Sequence, residues 1–171
     1  MNETDRQSLL RELRETQAEF IASLDSVTEA EASRKASPDG WTILQLAEHV
    51  AHAEGLMLRL VTRGQPSAEP LPNREESIRL AARNRAEKLV APEIAHPPGK
   101  VATVAEAIDQ FVAARGRTIQ YVESCSADLR QLASFHPMLG PASSYECLLY
   151  LIAHPARHAE QIREIRRAAV S

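Results

Sequence analysis

The sequence predicts an all-α fold, a four-helix bundle with a short accessory helix in one long crossover. Four long segments repeat apolar residues at three- and four-residue steps, and each begins with a Ser or Thr followed three positions later by Glu or Gln. No segment alternates apolar and polar residues as a half-buried strand would. A chain of 171 residues is long enough to bury one core, so residues 1–171 are expected to form a single domain.

The first predicted helix runs from about Asp5 into the late twenties, with Thr4 and Gln7 as its capping box. Its expected buried stripe is Leu10, Leu13, Gln17, Phe20, Leu24 and Val27. A polar connection follows and ends in the turn sequence Ser37-Pro38-Asp39-Gly40. The next helix therefore has to begin after this turn.

The second predicted helix has a well-marked start, because Thr42 and Gln45 form a capping box and the preceding Trp41 can pack on Leu46. Its expected buried stripe is Leu46, His49, Ala53, Leu56 and Leu60, beside a polar stripe of Gln45, Glu48, His52 and Arg59. His49 is therefore expected to face the core, whereas His52 is not.

The long crossover is predicted from its prolines. Pro66, Pro70 and Pro72 fall within residues 63–73. This density predicts a surface loop without regular structure. Asn73 and Glu76 then open the accessory helix, which is expected to reach about Val90. A second proline-rich loop spans residues 91–100, and His96 within it is expected to be exposed.

Two further amphipathic helices complete the bundle. Their capping boxes are Thr103 with Glu106 and Ser143 with Glu146. The first of them ends near Ser124, and the second is the last helix of the chain. The connection between them carries His136, which is expected either to make a local structural contact or to lie at the rim of a site.

The last helix carries a possible metal-binding pair. His154 and His158 are four residues apart, so in a continuous helix they share one face, where two imidazoles can bind one metal ion. The same spacing also occurs by chance, and a buried histidine is often only hydrogen-bonded to a neighbour. Pro155 leaves a further alternative open, because a helix that restarted at this proline would turn the two histidines apart. In a bundle, inward-facing His49 is the natural third ligand.

The groups around this pair are less decisive. Tyr150 and Gln161 lie one turn before and one turn after the histidines, so they are the groups expected to hydrogen-bond the ligands. Glu48 is predicted on the wrong side of its helix to act as a general base. Glu54 is predicted either to support a ligand or to face solvent.

Composition and charge exclude several classes of protein. Twenty basic and 23 acidic residues give a formal charge of -3 and are mixed along the chain, so we expect no nucleic-acid partner. No apolar run approaches the ~20 residues of a membrane span, which predicts a cytoplasmic protein with no membrane partner. Cys125 and Cys147 are expected to be reduced, buried and not catalytic.

Several short motifs resemble those of the DinB-like superfamily, which includes bacillithiol S-transferases and mycothiol-dependent maleylpyruvate isomerases. The similar residues are Gly40-Trp41-Thr42, His49 eight positions after the tryptophan, Glu54, Phe135-His136-Pro137 with Gly140, Tyr145-Glu146, His154, His158, Gln161 and Ile162. The likeness extends over nearly the whole chain in layout. Pro155 departs from the family, which more often has a residue compatible with an unbroken helix.

This resemblance implies an up-down-down-up four-helix bundle, frequently a homodimer, with one divalent metal ion held by His49, His154 and His158. Zinc or nickel is the expected ion, although imidazoles also suit copper and iron. Three neutral imidazoles leave a coordination position open, as in catalytic sites. A small-molecule substrate is therefore expected.

Three functions remain open at this point. The metal ion activates a thiol, in a thiol S-transferase that uses a low-molecular-weight thiol cosubstrate, or it activates water, in a metal-dependent hydrolase. The third is a non-catalytic metal-binding or dimerisation bundle, favoured by Pro155 and by the lack of an identifiable acid or base.

Overall fold

The computed structural model describes residues 1–35, 37–86 and 89–168. Its α-helices are α1 (Glu3–Ser23), α2 (Glu29–Ala32), α3 (Ile43–Thr62), α4 (Glu75–Arg83), α5 (Val104–Ser124) and α6 (Ser144–Ala168). Two single 3₁₀ turns, Glu93–Ala95 and Leu129–Gln131, lie in the connections. Its strands are β1 (Gln65–Pro66), β2 (Leu132–His136) and β3 (Gly140–Ser143).

The four long helices form the predicted bundle. Both α1 and α3 pack against α5 and α6, and the accessory helix α4 lies on α6. Their inward faces form two apolar clusters, one of which contains the edge-to-face pair of Phe20 and Phe111, with ring centroids 4.9 Å apart. Among the residues that the structure describes, no helix combines the length and apolar character that a membrane crossing needs.

Three of the predicted helix starts are confirmed. Thr42 and Gln45 form a complete capping box on α3. Ser143 and Glu146 exchange the same two bonds at the start of α6. On α5, the Thr103 side chain accepts the expected bond, but Glu106 reaches back to the amide of Ala102.

The boundaries of α1 and α4 differ from the prediction. Asn2, not Thr4, caps α1, and this helix ends at Ser23, ahead of Ser26, which has a positive φ of 57°. Helix α4 starts after Arg74 without a side-chain cap and ends at Arg83. The predicted extension to Val90 passes through residues 87–88, which lie outside the described residues.

A small antiparallel sheet, in the order β1-β2-β3, was not expected. It pairs the first proline-rich loop with the connection before α6, so the prediction of no regular structure there is wrong. Gln65 pairs with Ala133, and Ala133 pairs with Ser143. Gly140 closes the β2 to β3 turn with a φ of 69°, a conformation that glycine adopts readily.

Candidate metal centre

The three predicted ligands meet inside the bundle. His49 comes from α3, and His154 and His158 come from α6. The Nε2 atom of His154 lies 3.2 Å from Nε2 of His49 and 3.1 Å from Nε2 of His158. One ligand atom from each residue falls within 4.8 Å of the other two, and all three side chains are buried. The structure therefore brings together every residue of the predicted site.

Helix α6 continues through Pro155, which settles the alternative that the sequence left open. The proline lacks the amide hydrogen that would bond to the carbonyl of Leu151, yet the helix is continuous from Ser144 to Ala168. Because the helix is continuous, His154 and His158 share a face, with ring centroids 4.5 Å apart.

Hydrogen bonds fix the proton positions on two of the three imidazoles. Nδ1 of His49 lies 2.6 Å from the carbonyl oxygen of Ala95, and Nδ1 of His158 lies 3.0 Å from Oε1 of Gln161. Both partners are oxygen acceptors, so each Nδ1 carries the proton and donates it. In the neutral rings, Nε2 of His49 and Nε2 of His158 therefore present lone pairs to His154.

The cluster is rich in acceptors and short of donors. Nε2 of His154 can donate to only one of the two lone pairs, and its Nδ1 atom, which is buried, has no hydrogen-bond partner among the described residues. Burial lowers the pKa of His49 to about 4 and lowers the pKa of His154 and His158 well below the usual histidine value. Protonation of a ring is therefore unfavourable and does not supply the missing hydrogen-bond donor, whereas a metal cation can accept all three lone pairs.

The spacing also fits a small divalent ion. Ligand nitrogens about 2.0–2.1 Å from zinc at tetrahedral angles lie about 3.3 Å apart. The two Nε2 separations of 3.1 and 3.2 Å are close to this value. Two of the three separations therefore suit zinc or a similar ion, and the third lies within 4.8 Å.

An aromatic group continues this face of α6 towards the small sheet. The Tyr150 ring lies 6.2 Å from the ring of His154 and 4.5 Å from that of His136. His136 is buried, and its Nδ1 accepts the amide hydrogen of Met138 at 3.1 Å. Burial lowers the pKa of His136 to about 4 and raises the pKa of Tyr150. His136 thus makes a local structural contact and also borders the site through Tyr150. Gln161 forms a hydrogen bond with His158, as predicted.

The other two histidines lie outside the cluster. Nε2 of His52 is 3.0 Å from the carbonyl oxygen of Ile94. His96 is exposed, as expected, and its ring stands edge-on to Trp41 at 5.5 Å. Trp41 in turn contacts His49, with ring centroids 4.7 Å apart, and packs on the apolar cluster that contains Leu46.

Two glutamates on α3 differ from their predictions. Glu48, predicted on the polar stripe, is only 3% exposed because its carboxylate accepts backbone bonds from the crossover. Glu54 neither contacts a metal ligand nor faces solvent; its carboxylate pairs with Arg115, at 2.9 Å between Oε1 and Nε. No local sequence pattern indicates either partner, since both lie more than fifty residues away along the chain.

Comparison with known proteins decides the family. The family model of the DinB superfamily matches residues 12–162. The chain belongs to the DinB superfamily. This span includes all three clustered histidines and confirms the resemblance noted in the sequence. No curated protein matches the chain.

Two solved structures share the fold of this DinB superfamily member. YfiT from Bacillus subtilis, described as a probable metal-dependent hydrolase with an unusual four-helix bundle topology, is 16% identical, with a TM-score of 0.66. The match covers 99% of this chain and 90% of YfiT. TT2238, described as a four-helix bundle protein, is 20% identical, with a TM-score of 0.61. The match covers 92% of this chain and 98% of the TT2238 chain. At these identities the likeness establishes the four-helix bundle and leaves the activity open.

Proposed function

We propose that this protein is a metal-dependent enzyme in which His49, His154 and His158 hold one divalent ion, zinc or nickel, and promote transfer of a low-molecular-weight thiol to a small electrophile. The observation that supports the proposal is the convergence of three buried Nε2 atoms, two of them with their lone pairs directed inward by hydrogen bonds at Nδ1.

An ion held by the three neutral imidazoles would keep a coordination position open and would lower the pKa of a thiol or water bound there. The protein's own residues supply the orientation. The Ala95 carbonyl holds the ring of His49, and the Gln161 side chain holds the ring of His158. All three histidines are buried, and the low effective dielectric constant there strengthens every electrostatic interaction in the site.

The choice of a thiol rests on the state of the nearby carboxylates. Hydrolysis needs a group that accepts a proton from water and passes it to the leaving group. The buried carboxylates of Glu48 and Glu54 are both engaged, with backbone amides and with Arg115. A thiol is far more acidic than water and releases its proton near neutral pH without such a base. The sulfur then bonds to the electrophilic carbon, and the leaving group departs with the bonding electrons.

A metal-dependent hydrolase is the second candidate, because YfiT carries that description and shares the fold. In that case water takes the place of the thiol. The Tyr150 ring lies 6.2 Å from the His154 ring, and we expect its hydroxyl group to orient the substrate in either reaction.

Two measurements decide between these functions and an inert bundle. Protein reconstituted with zinc or nickel is expected to retain one ion per chain after gel filtration, and to catalyse loss of a low-molecular-weight thiol in the presence of an alkyl halide. Cleavage of ester or amide substrates without any thiol consumption would favour the hydrolase. One bound ion without turnover of either kind would favour the non-catalytic metal-binding bundle.

The oligomeric state remains a prediction from the family resemblance. We propose a homodimer, and light scattering at micromolar concentration is expected to give twice the 18.9 kDa mass of one chain. A mass of one chain would contradict it.

A further inference from the structure

The second proline-rich loop covers α3 beside the cluster of His49, His154 and His158. We call residues 91–101 the strap. Its carbonyl groups meet histidines of α3, since the oxygen of Ala95 lies 2.6 Å from Nδ1 of His49 and that of Ile94 lies 3.0 Å from Nε2 of His52. The strap therefore provides the hydrogen bond that determines which nitrogen of His49 carries the proton.

The far end of the strap is held by the residue next to His49. The carboxylate of Glu48 accepts the amide hydrogens of Gly99, Lys100 and Val101, at 2.9, 2.5 and 3.2 Å. Three consecutive amides can converge on one anion because Gly99 has a φ of 68°, which turns the backbone into an anion-binding concavity. The charge of Glu48 is thereby compensated although only 3% of its surface is exposed.

A stiff connection joins these two ends. His96 is extended, with φ of -60° and ψ of 149°, and Pro97 and Pro98 follow it directly. Proline fixes its own φ and restricts the residue before it, so this stretch has little freedom to absorb a displacement. Movement at the Glu48 end is therefore passed on to Ala95 rather than lost in a flexible loop.

We propose that Glu48 is a positioning residue for the metal centre. Its hydrogen bonds to residues 99–101 fix the position of the strap, and the strap in turn fixes the orientation and the tautomer of the His49 ring. The inference rests on the proposed metal site. It assigns Glu48 no contact with metal ion or substrate.

The test compares Glu48→Gln with Glu106→Gln. Glu106 is a matched control because its carboxylate also accepts a backbone amide just after the strap, that of Ala102 at 2.7 Å, but near no histidine of the cluster. In Glu48→Gln, the NH₂ group of the new side chain opposes one of the three backbone N–H donors. Removing a group that supports a ligand typically weakens metal affinity about 10- to 100-fold, so we expect a loss of this size in Glu48→Gln and less than about 3-fold in Glu106→Gln. Competition with a chromophoric zinc chelator measures both.

Two further readouts separate positioning from general weakening. The visible spectrum of the cobalt-substituted protein should change in Glu48→Gln and stay unchanged in Glu106→Gln. Gly99→Ala strains the positive φ without any clash, because no atom lies within 4 Å of the added methyl group, and it should reproduce the affinity loss. Equal affinity and identical cobalt spectra for Glu48→Gln and the unmutated protein would overturn the proposal.

Histidine tautomers keep the proposal testable without metal. In metal-free protein, long-range proton–nitrogen NMR should show the His49 proton on Nδ1 and its loss or averaging in Glu48→Gln. If the unmutated protein binds no ion, the proposed function fails while this spectrum still decides the role of Glu48. If Glu48→Gln does not fold, hydrogen exchange of the unmutated protein takes the place of the variant. Zinc should slow amide exchange at residues 99–101 more than at Ala102. Equal slowing at these positions would overturn the proposal.

Discussion

Two polar clusters lie buried in the same bundle, and they are satisfied in opposite ways. The ionic cluster joins Glu54 to Arg115, with Nη2 donating to Oε2 at 2.9 Å, and Thr118 donates to the same carboxylate at 2.8 Å. Arg115 also donates to the carbonyl of Leu13 and to Thr16. In the imidazole cluster of His49, His154 and His158, three ring nitrogens face one another instead, with at most one proton among them.

This difference indicates what each cluster does. In the ionic cluster, the Arg115 guanidinium lies against the Glu54 carboxylate, and its Nη1 and Nη2 atoms donate to acceptors on α1 and α3, so these contacts stabilise the fold. The imidazole cluster lacks the donors that its lone pairs need, and a buried acceptor without a donor lowers stability unless a ligand supplies the missing partner. Burial alone therefore does not indicate a binding site, whereas an excess of converging acceptors indicates a place for a ligand that supplies positive charge or hydrogen-bond donors.

The largest expected effect breaks the ionic cluster. Glu54→Ala leaves the Arg115 guanidinium buried without its counter-charge, and removing one partner of such a pair destabilises a protein by about 3–5 kcal/mol. Urea unfolding of the metal-free protein measures this loss. The double variant Glu54→Leu with Arg115→Met removes both charges and should recover most of it. A loss below about 1 kcal/mol in Glu54→Ala would contradict a structural role for the pair.

The next effect is a pH dependence carried by His136, outside both clusters. Its pKa is lowered to about 4 by burial, so between pH 6.5 and 4 the unfolded chain binds more protons than the folded one. Stability from this residue is therefore present above pH 6.5 and declines as pH falls through the window, by up to about 3 kcal/mol. His136→Asn retains an acceptor for the Met138 amide but cannot titrate. Its urea midpoint should fall less steeply with acid than that of the unmutated protein; parallel curves would show that His136 is not buried as described.

The smallest expected effect concerns Cys147, a buried group on the same helix as two of the imidazoles. Burial raises the pKa of its thiol to about 12, so almost none is ionised near neutral pH. We expect iodoacetamide at about pH 8 to leave Cys147 unmodified in folded protein and to modify it after unfolding, as peptide mass spectrometry can show. Rapid modification of the folded protein, or loss of turnover in Cys147→Ser with metal retained, would make it a reactive group.

Local sequence patterns predicted the features that depend on near neighbours. The capping box of Thr42 with Gln45, the shared face of His154 and His158, and the contact of Gln161 with a ligand all follow from three- and four-residue spacings in a helix. The inward direction of His49 follows from the apolar stripe around it.

Features that depend on distant partners could not be predicted in this way. Glu48 has the character of a surface residue until residues 99–101 fold over it, and Glu54 is buried only because Arg115 reaches it from α5. The small sheet has strands of two, five and four residues, too short for a clear alternating pattern. Each of these features is formed by contacts between segments that lie far apart in the sequence.

The central claim is that His49, His154 and His158 bind one divalent ion and that His52, His96 and His136 do not. Elemental analysis of protein reconstituted with zinc or nickel and then gel-filtered tests it directly. Alanine at any of the three clustered positions should abolish stoichiometric metal, because the site loses its geometry with any ligand, whereas His52→Ala should retain one ion per chain. Full metal in His154→Ala, or none in the unmutated protein, would contradict the account.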